Sequence, residues 1–149
     1  MHSRATELIE TLNLVPHPEG GYYRQVYKSE RSVKPDDDRH VRSALTAIYF
    51  LLPKGEKSRW HRVRSDEIWT HLEGSPVTLH LLDGTNASSV IVDRIHVVPA
   101  NVWQAAQPTG DYALVACFVA PGFEFADFSM MNDEGEVAAR LPQELQRLL

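Results

Sequence analysis

The sequence predicts an all-β fold, a barrel or sandwich of short strands with a short helix at each end. Two observations carry this. From Ala44 onward the chain falls into apolar or alternating segments with no helical period between them: ALTAIYFLL, SRWHRV, DEIWTHL, VTLHLLD, SVIVDRIHVVP, VWQAA, YALVACFVA and FEFADFSM. Nine prolines and eight glycines are spread along the sequence, so turns are frequent and long helices are not expected.

The elements follow in order. Ser3 to Asn13 carries apolar residues at Ala5, Leu8, Ile9 and Leu12, a helical stripe that Ser3 is placed to cap. In VPHPEGG the two prolines and the Gly20-Gly21 pair predict a rigid turn, and the Tyr-rich run after it predicts a strand. Glu19 and Arg24 are expected to form an ion pair that fastens this N-terminal arm. The polar stretch Lys28 to Arg42, with Asp36, Asp37 and Asp38 in a row, reads as a surface loop, a mobile lid being the alternative. Gly55 and Gly74 fall at breaks between strands, and Asp83-Gly84 is a hairpin signal. FEFADF is expected to pack its phenylalanines onto the core as a strand. The tail EVAARLPQELQRLL returns to helix, with Pro142 near its first turn. No repeat or linker interrupts the chain, so residues 1–149 are read as one domain with a core over about residues 12–130.

Composition excludes several classes. A chain of 149 residues, 43% hydrophobic, can bury a real core. A net charge of −5 and a pI near 5.8 argue against a nucleic-acid binder. The local basic cluster Lys54, Lys57, Arg59, Arg62 and Arg64 reads as a solvated edge strand, with an anion-attracting pocket mouth as the alternative. Cys117, the sole cysteine, rules out an intrachain disulfide and reads as a buried, inert thiol. The N-terminus has no apolar signal core and no stretch is apolar enough to span a bilayer. The expectation is a soluble, cytoplasmic protein without a membrane partner.

Chemistry concentrates in GEKSRWHRVRSDEIWTHLEG. Gly55, His61, Glu67 and Gly74 are separated there by five, five and six residues. Alternate residues on a strand share a face, so an inward His61 brings Val63 with it, and an inward Glu67 brings Trp69 and His71. Two imidazoles, a carboxylate and an aromatic wall are what a small-molecule site looks like. For His71, and more so His80, a plain strand residue with satisfied ring nitrogens is the competing reading.

This spacing resembles the first cupin motif, whose usual second His is replaced by Val63. In DRIHVVPANVWQ the second cupin motif keeps Pro99 but has Asp93 and Asn101 for its glycines and Gln104 for its His. Of four usual metal ligands only His61 and Glu67 stand in place, and an amide is a poor substitute for imidazole. No cofactor is therefore expected, and a divalent ion at His61 and Glu67 is the weaker alternative. The strings PHPEGGYYRQVY, AIYFLL, WHRVRSDEIWTHLEGSPVTLHLLD, VVPANVWQAA and YALVACFVAPGFEFADF cover most of Leu12 to Phe128 and identify the chain as a member of the Cupin-5 family. The resemblance implies a cupin jelly-roll β-barrel, a homodimer, and an architecture similar to that of RmlC-like sugar-nucleotide epimerases. It implies no particular reaction. The sequence departs from the family in its short TNASSVIVDRIH segment, which lacks a glycine, and in Ser129, where an acidic residue is usual.

Three functions compete. The first is isomerase- or epimerase-type acid–base chemistry on a small polar molecule, such as a sugar or sugar nucleotide. In it His61 is the base, Glu67 orients it, and Tyr49 or His71 is the acid. The second, ranked equal, is a non-catalytic binding module with Trp69, Trp103, Gln104 and Tyr49 around a ring and Arg59 holding an anion. A metal-dependent enzyme ranks third. A shared fold does not choose among them.

Overall fold

The computed structural model describes all residues from Met1 to Leu149. Helix α1 (Ser3–Thr11) is followed by strands β1 (Val15–Pro16), β2 (Tyr22–Lys28), β3 (Ser32–Val33), β4 (Arg42–Ser43), β5 (Thr46–Pro53) and β6 (Ser58–Val63). Then come β7 (Asp66–Gly74), β8 (Val77–Asp83), β9 (Asn86–Val92), β10 (Ile95–Val98), β11 (Trp103–Pro108), β12 (Tyr112–Ala120) and β13 (Phe128–Met130). A single turn, α2 (Gly135–Ala138), and a 3-10 segment, Gln143–Leu148, end the chain. Two antiparallel sheets, β1-β2-β5-β12-β7-β10 and β13-β6-β11-β8-β9, give the arrangement of a cupin jelly roll, and β3 and β4 form a separate two-stranded ribbon.

The core lies between the sheets. Phe50, Leu52, Trp69, Val115 and Cys117 of the first meet Val77, Leu79, Val92 and Ala106 of the second. Strand alternation explains who faces out. Leu51 and Leu114 lie on the outer face of the first sheet, where Ala5 and Leu8 of α1 cover them. Trp60, Leu82 and Trp103 lie on the outer face of the second sheet, under Met131, Leu141 and Leu148 of the tail.

Several local expectations need correction. The α1 cap is His2, whose Nδ1 accepts from Arg4 N, and Ser3 already belongs to the helix. SVIVDRIHVVP is two strands, because Asp93 and Arg94 turn the chain between β9 and β10. In FEFADF only Phe128 is in a strand, and Phe125–Asp127 is a 3-10 turn that carries Asp127 inward. Pro142 divides the tail into two short helical pieces instead of opening one helix. The Lys28 to Arg42 stretch is pinned: β3 pairs with β4, and Arg39 and Arg42, both buried, bind the buried Asp127 carboxylate.

The turn between β1 and β2 positions the site. Gly20 has φ of +109°, and a Cβ there would stand 2.0 Å from the Lys57 carbonyl oxygen. Only glycine allows the turn to lie this close to the residue that leads into β6. Arg59 N donates to Glu19 O at 2.7 Å, and the Arg59 guanidinium donates to the Pro18 carbonyl. The turn is thereby stitched onto β6, with His17 and Glu19 directed into the barrel.

Candidate functional site

One end of the inter-sheet space is filled by the core, and the other holds a cavity of about 380 Å³. Its polar wall comprises His17, Glu19, His61 and Glu67. Its apolar walls include Ile48, Val63, Cys117, Val119, Phe123, Phe125 and Phe128, and Tyr23, Gln25, Lys28, Thr46 and Glu124 complete the lining. Phe128 comes in beside Val63 because β13 pairs with β6, and its ring stacks on His61 with centroids 5.4 Å apart.

The orientation of His61 follows from its neighbours. Nδ1 lies 2.7 Å from Glu19 Oε2 and 2.8 Å from the Arg59 carbonyl oxygen. Both are acceptors, so Nδ1 carries a hydrogen and the neutral ring has its lone pair on Nε2. Glu19 is held in turn by Ser58 Oγ, which donates to Oε2 at 3.0 Å. His17 is different. Its Nδ1 accepts from Glu19 N at 3.1 Å and so bears no hydrogen, which makes its 3.6 Å approach to Glu19 Oε1 a contact of a neutral ring.

Glu67 is fixed from behind. Gln104 Nε2 donates to Glu67 Oε1 at 2.7 Å, and Trp69 Nε1 donates to Gln104 Oε1 at 2.8 Å. Neither His61 Nε2 nor Glu67 Oε2 has a partner in the chain. Of the buried side-chain polar atoms only His80 Nε2 is both sealed and unpartnered. These two atoms therefore reach open space, and that space is the cavity.

Burial and charge set their protonation. Burial pulls the His61 ring down, but the charge and hydrogen bond of Glu19 outweigh it and leave the pKa above 6.5. Burial pushes Glu19 up, yet His61 holds it below the ordinary 4.5. Glu67 has no such partner; burial, with the Glu19 charge added, outweighs the lowering by His61 and Gln104 and raises it to about 7. Burial lowers His17 and raises the Cys117 thiol, which keeps both neutral.

A stability profile follows. Glu67 is 4.5 when unfolded and about 7 when folded, so the native state holds the extra proton between those values. Stability therefore falls as pH rises from about 4.5 to about 7, by about 3 kcal/mol for this group. His61 acts in the same direction, its stabilisation being complete below 6.5 and lost as pH rises through its raised folded value. His17 and His80, whose rings burial lowers, act the other way up to 6.5, so the decline in melting temperature is expected to be clearest from about pH 6.5 to 8, and Glu67→Gln is expected to flatten part of it in calorimetry.

The structure brings His61 and Glu67 together and disperses the other sequence-derived candidates. Glu19, and not Glu67, orients His61, and Glu19 makes no pair with Arg24, whose guanidinium donates to the Leu12 carbonyl at 3.4 Å. Trp69 and Gln104 stand behind Glu67 outside the lining. Tyr49 packs beside α1 on the outer face of β5, opposite Ile48. His71 keeps the register opposite the core residue Val115 but lies four residues beyond Glu67, past Trp69, where its Nε2 approaches the Gly74 carbonyl near the end of β7. Trp103 lies under the tail with the Arg62 guanidinium 4.6 Å from its ring centroid, and Arg59 is bound to the turn. His80 Nδ1 faces Ser89 Oγ at 2.7 Å on the outer side of the second sheet. Sequence reasoning missed Glu19, His17 and Tyr23 as lining residues. The glycine pair after Glu19, which marks a close backbone approach, was the available signal for the first two.

A metal fits this cavity poorly. Val63 has no donor atom, and both polar atoms of the Gln104 amide are already engaged. No group of three or more His, Cys, Asp or Glu side chains is gathered as a metal would require.

Comparison with known proteins places the chain. A hypothetical protein from Leishmania major is 28% identical over 97% of both chains, with a TM-score of 0.86. Protein SO0799 from Shewanella oneidensis is 31% identical over 97% of this chain and 96% of its own, with a TM-score of 0.85. Oxalate decarboxylase from Bacillus subtilis shares the fold at 15% identity and a TM-score of 0.62, this chain spanning 32% of it. No curated protein matches the sequence. No helix is long and apolar enough to cross a membrane. The family model described as Cupin superfamily (DUF985) matches residues 6–131, and the chain thus belongs to the Cupin-5 family.

Proposed function

We propose that the cavity binds a small polar molecule of about monosaccharide size and moves a proton on the carbon beside its carbonyl, as isomerases and epimerases do. One observation carries the reading: His61 Nε2 and Glu67 Oε2 are the unpartnered polar atoms of two buried side chains that line one cavity. Glu67, at about 7, is poised as the base. The imidazolium of His61, backed by Glu19, is the acid. Glu67 Oε2 takes the proton from carbon, the C–H electron pair shifts toward the carbonyl oxygen, and His61 Nε2–H donates to that oxygen. Return of the proton from Glu67 to the neighbouring carbon, as the hydroxyl on the first carbon gives its hydrogen to His61, forms the isomer; a water proton taken up on the opposite face of the first carbon, as the enol hydrogen goes back to His61 and Glu67 releases its own to water, forms the epimer. The rate should rise with pH through about 7 as Glu67 ionises and fall as His61 loses its proton. Lys28 is the one Lys or Arg in the lining, so a sugar suits the cavity better than a sugar nucleotide.

A second reading is a binding module without catalysis, favoured by the phenylalanine wall. The two separate in heavy water with a panel of aldoses and ketoses. Deuterium appearing beside the carbonyl by proton NMR, and lost in Glu67→Gln and His61→Asn, supports proton transfer. Saturable binding without exchange favours the module, and no binding of any sugar overturns the sugar-sized ligand.

A further inference from the structure

We propose that Trp69 and Gln104 are positioning residues that determine which oxygen of Glu67 exchanges a proton with the cavity. This rests on the reading of Glu67 as the proton-exchanging group. An indole N–H can only donate, so the Gln104 atom 2.8 Å from Trp69 Nε1 is its carbonyl oxygen. The Gln104 NH₂ then points the other way and donates to Glu67 Oε1 at 2.7 Å. A carbonyl oxygen is a stronger acceptor than a carboxyl hydroxyl, and the amide nitrogen offers no lone pair to a hydrogen on Oε1, so this bond favours Oε1 as the carbonyl oxygen of the neutral acid. The hydrogen of the neutral acid therefore resides on Oε2, the atom that opens to the cavity.

Trp69 thus locks an amide that could otherwise turn over. With the lock removed, Gln104 can present its carbonyl to Glu67, and the carboxyl hydrogen is then drawn onto Oε1, away from the cavity. Gln104 is 1% exposed and Trp69 1%, so no solvent molecule substitutes for either bond. The other ionisable groups facing Glu67 are His61 from β6, Glu19 from the turn and Cys117 from β12, and none of them hydrogen-bonds to the amide, whose bonds are to Trp69 and Glu67. The chain also accounts for a glutamine in this position. Gln104 sits opposite His61 on β11 and spans the distance from an indole donor to a carboxylate acceptor, a task for one group carrying both an acceptor and a donor.

The test follows the Glu67 carboxyl carbon by NMR from pH 5 to 9 and needs no ligand. Gln104→Met keeps the length of the side chain and removes both bonds, and the Glu67 midpoint should rise by roughly one unit because the charged form loses its donor. Trp69→Phe touches no atom of Glu67 and should also raise the midpoint, by less. A folded Trp69→Phe protein with the native midpoint overturns the proposal. Should that variant not fold, the native protein decides: the Trp69 indole N–H shift must follow the Glu67 titration, and a pH-independent indole signal overturns it. Failure of the function reading looks different. Midpoints that move as stated in a protein that exchanges no sugar deuterium defeat the proton-transfer reading and leave the positioning role standing.

Discussion

Replacing Glu19 with Gln is expected to carry the His61 pKa from above its ordinary 6.5 to below it. Burial is the largest influence on the ring and acts downward, and Glu19 supplies both the charge and the hydrogen bond that reverse it. Without that charge, burial is opposed only by Glu67 and the Arg59 carbonyl. Ring nitrogen NMR reads the midpoint directly. Glu19→Ala also removes the acceptor for Ser58 and His61, and should cost about 3 to 5 kcal/mol in denaturant unfolding, the usual loss when a buried pair is broken from one side. A His61 midpoint unchanged in Glu19→Gln would mean that the turn between β1 and β2 does not hold this side chain as described.

The second large effect concerns metal. Val63→His together with Gln104→His places two new imidazoles among His61 and Glu67, giving three imidazoles and a carboxylate. The double variant is expected to bind close to one zinc or nickel ion per chain by elemental analysis. Zinc at 1,000 times its dissociation constant should then stabilise it by about 4 kcal/mol. The native protein, offering no donor at Val63 and an engaged amide at Gln104, should show no such response. Failure of the double variant to bind would mean that β6, β7 and β11 do not set the ligand geometry of a metal-binding cupin.

The parts of this account that were legible in the sequence are those governed by short-range pattern. Strand alternation correctly brings Val63 inward with His61 and Trp69 inward with Glu67, because a two-residue period survives any global arrangement. Asp83-Gly84 marks the β8–β9 hairpin, since Gly84 takes the positive φ the turn requires. His61 and Glu67 were legible as a pair through the spacing of their flanking glycines. What failed depends on where distant segments meet. Nothing local to PHPEGG says that Glu19 will enter the barrel 42 positions before His61, and a nearby arginine was the more obvious partner. His71 shows a second failure: alternation gives a side chain its face but not how far along the strand the cavity reaches, and His71 lies past Trp69, beside Gly74. Gln104 reads as a lost ligand from the motif, and only the indole behind it gives the amide its own purpose.

The central claim is that Glu19 holds His61 with Nδ1 protonated and Nε2 open to the cavity. Long-range proton–nitrogen NMR of the His61 ring in the unmodified protein, recorded from pH 5 to 9, tests it most directly. Nδ1 is expected to stay protonated throughout and Nε2 to lose its hydrogen with a midpoint above 6.5. A neutral ring with its hydrogen on Nε2, or a midpoint below 6.5, would contradict it.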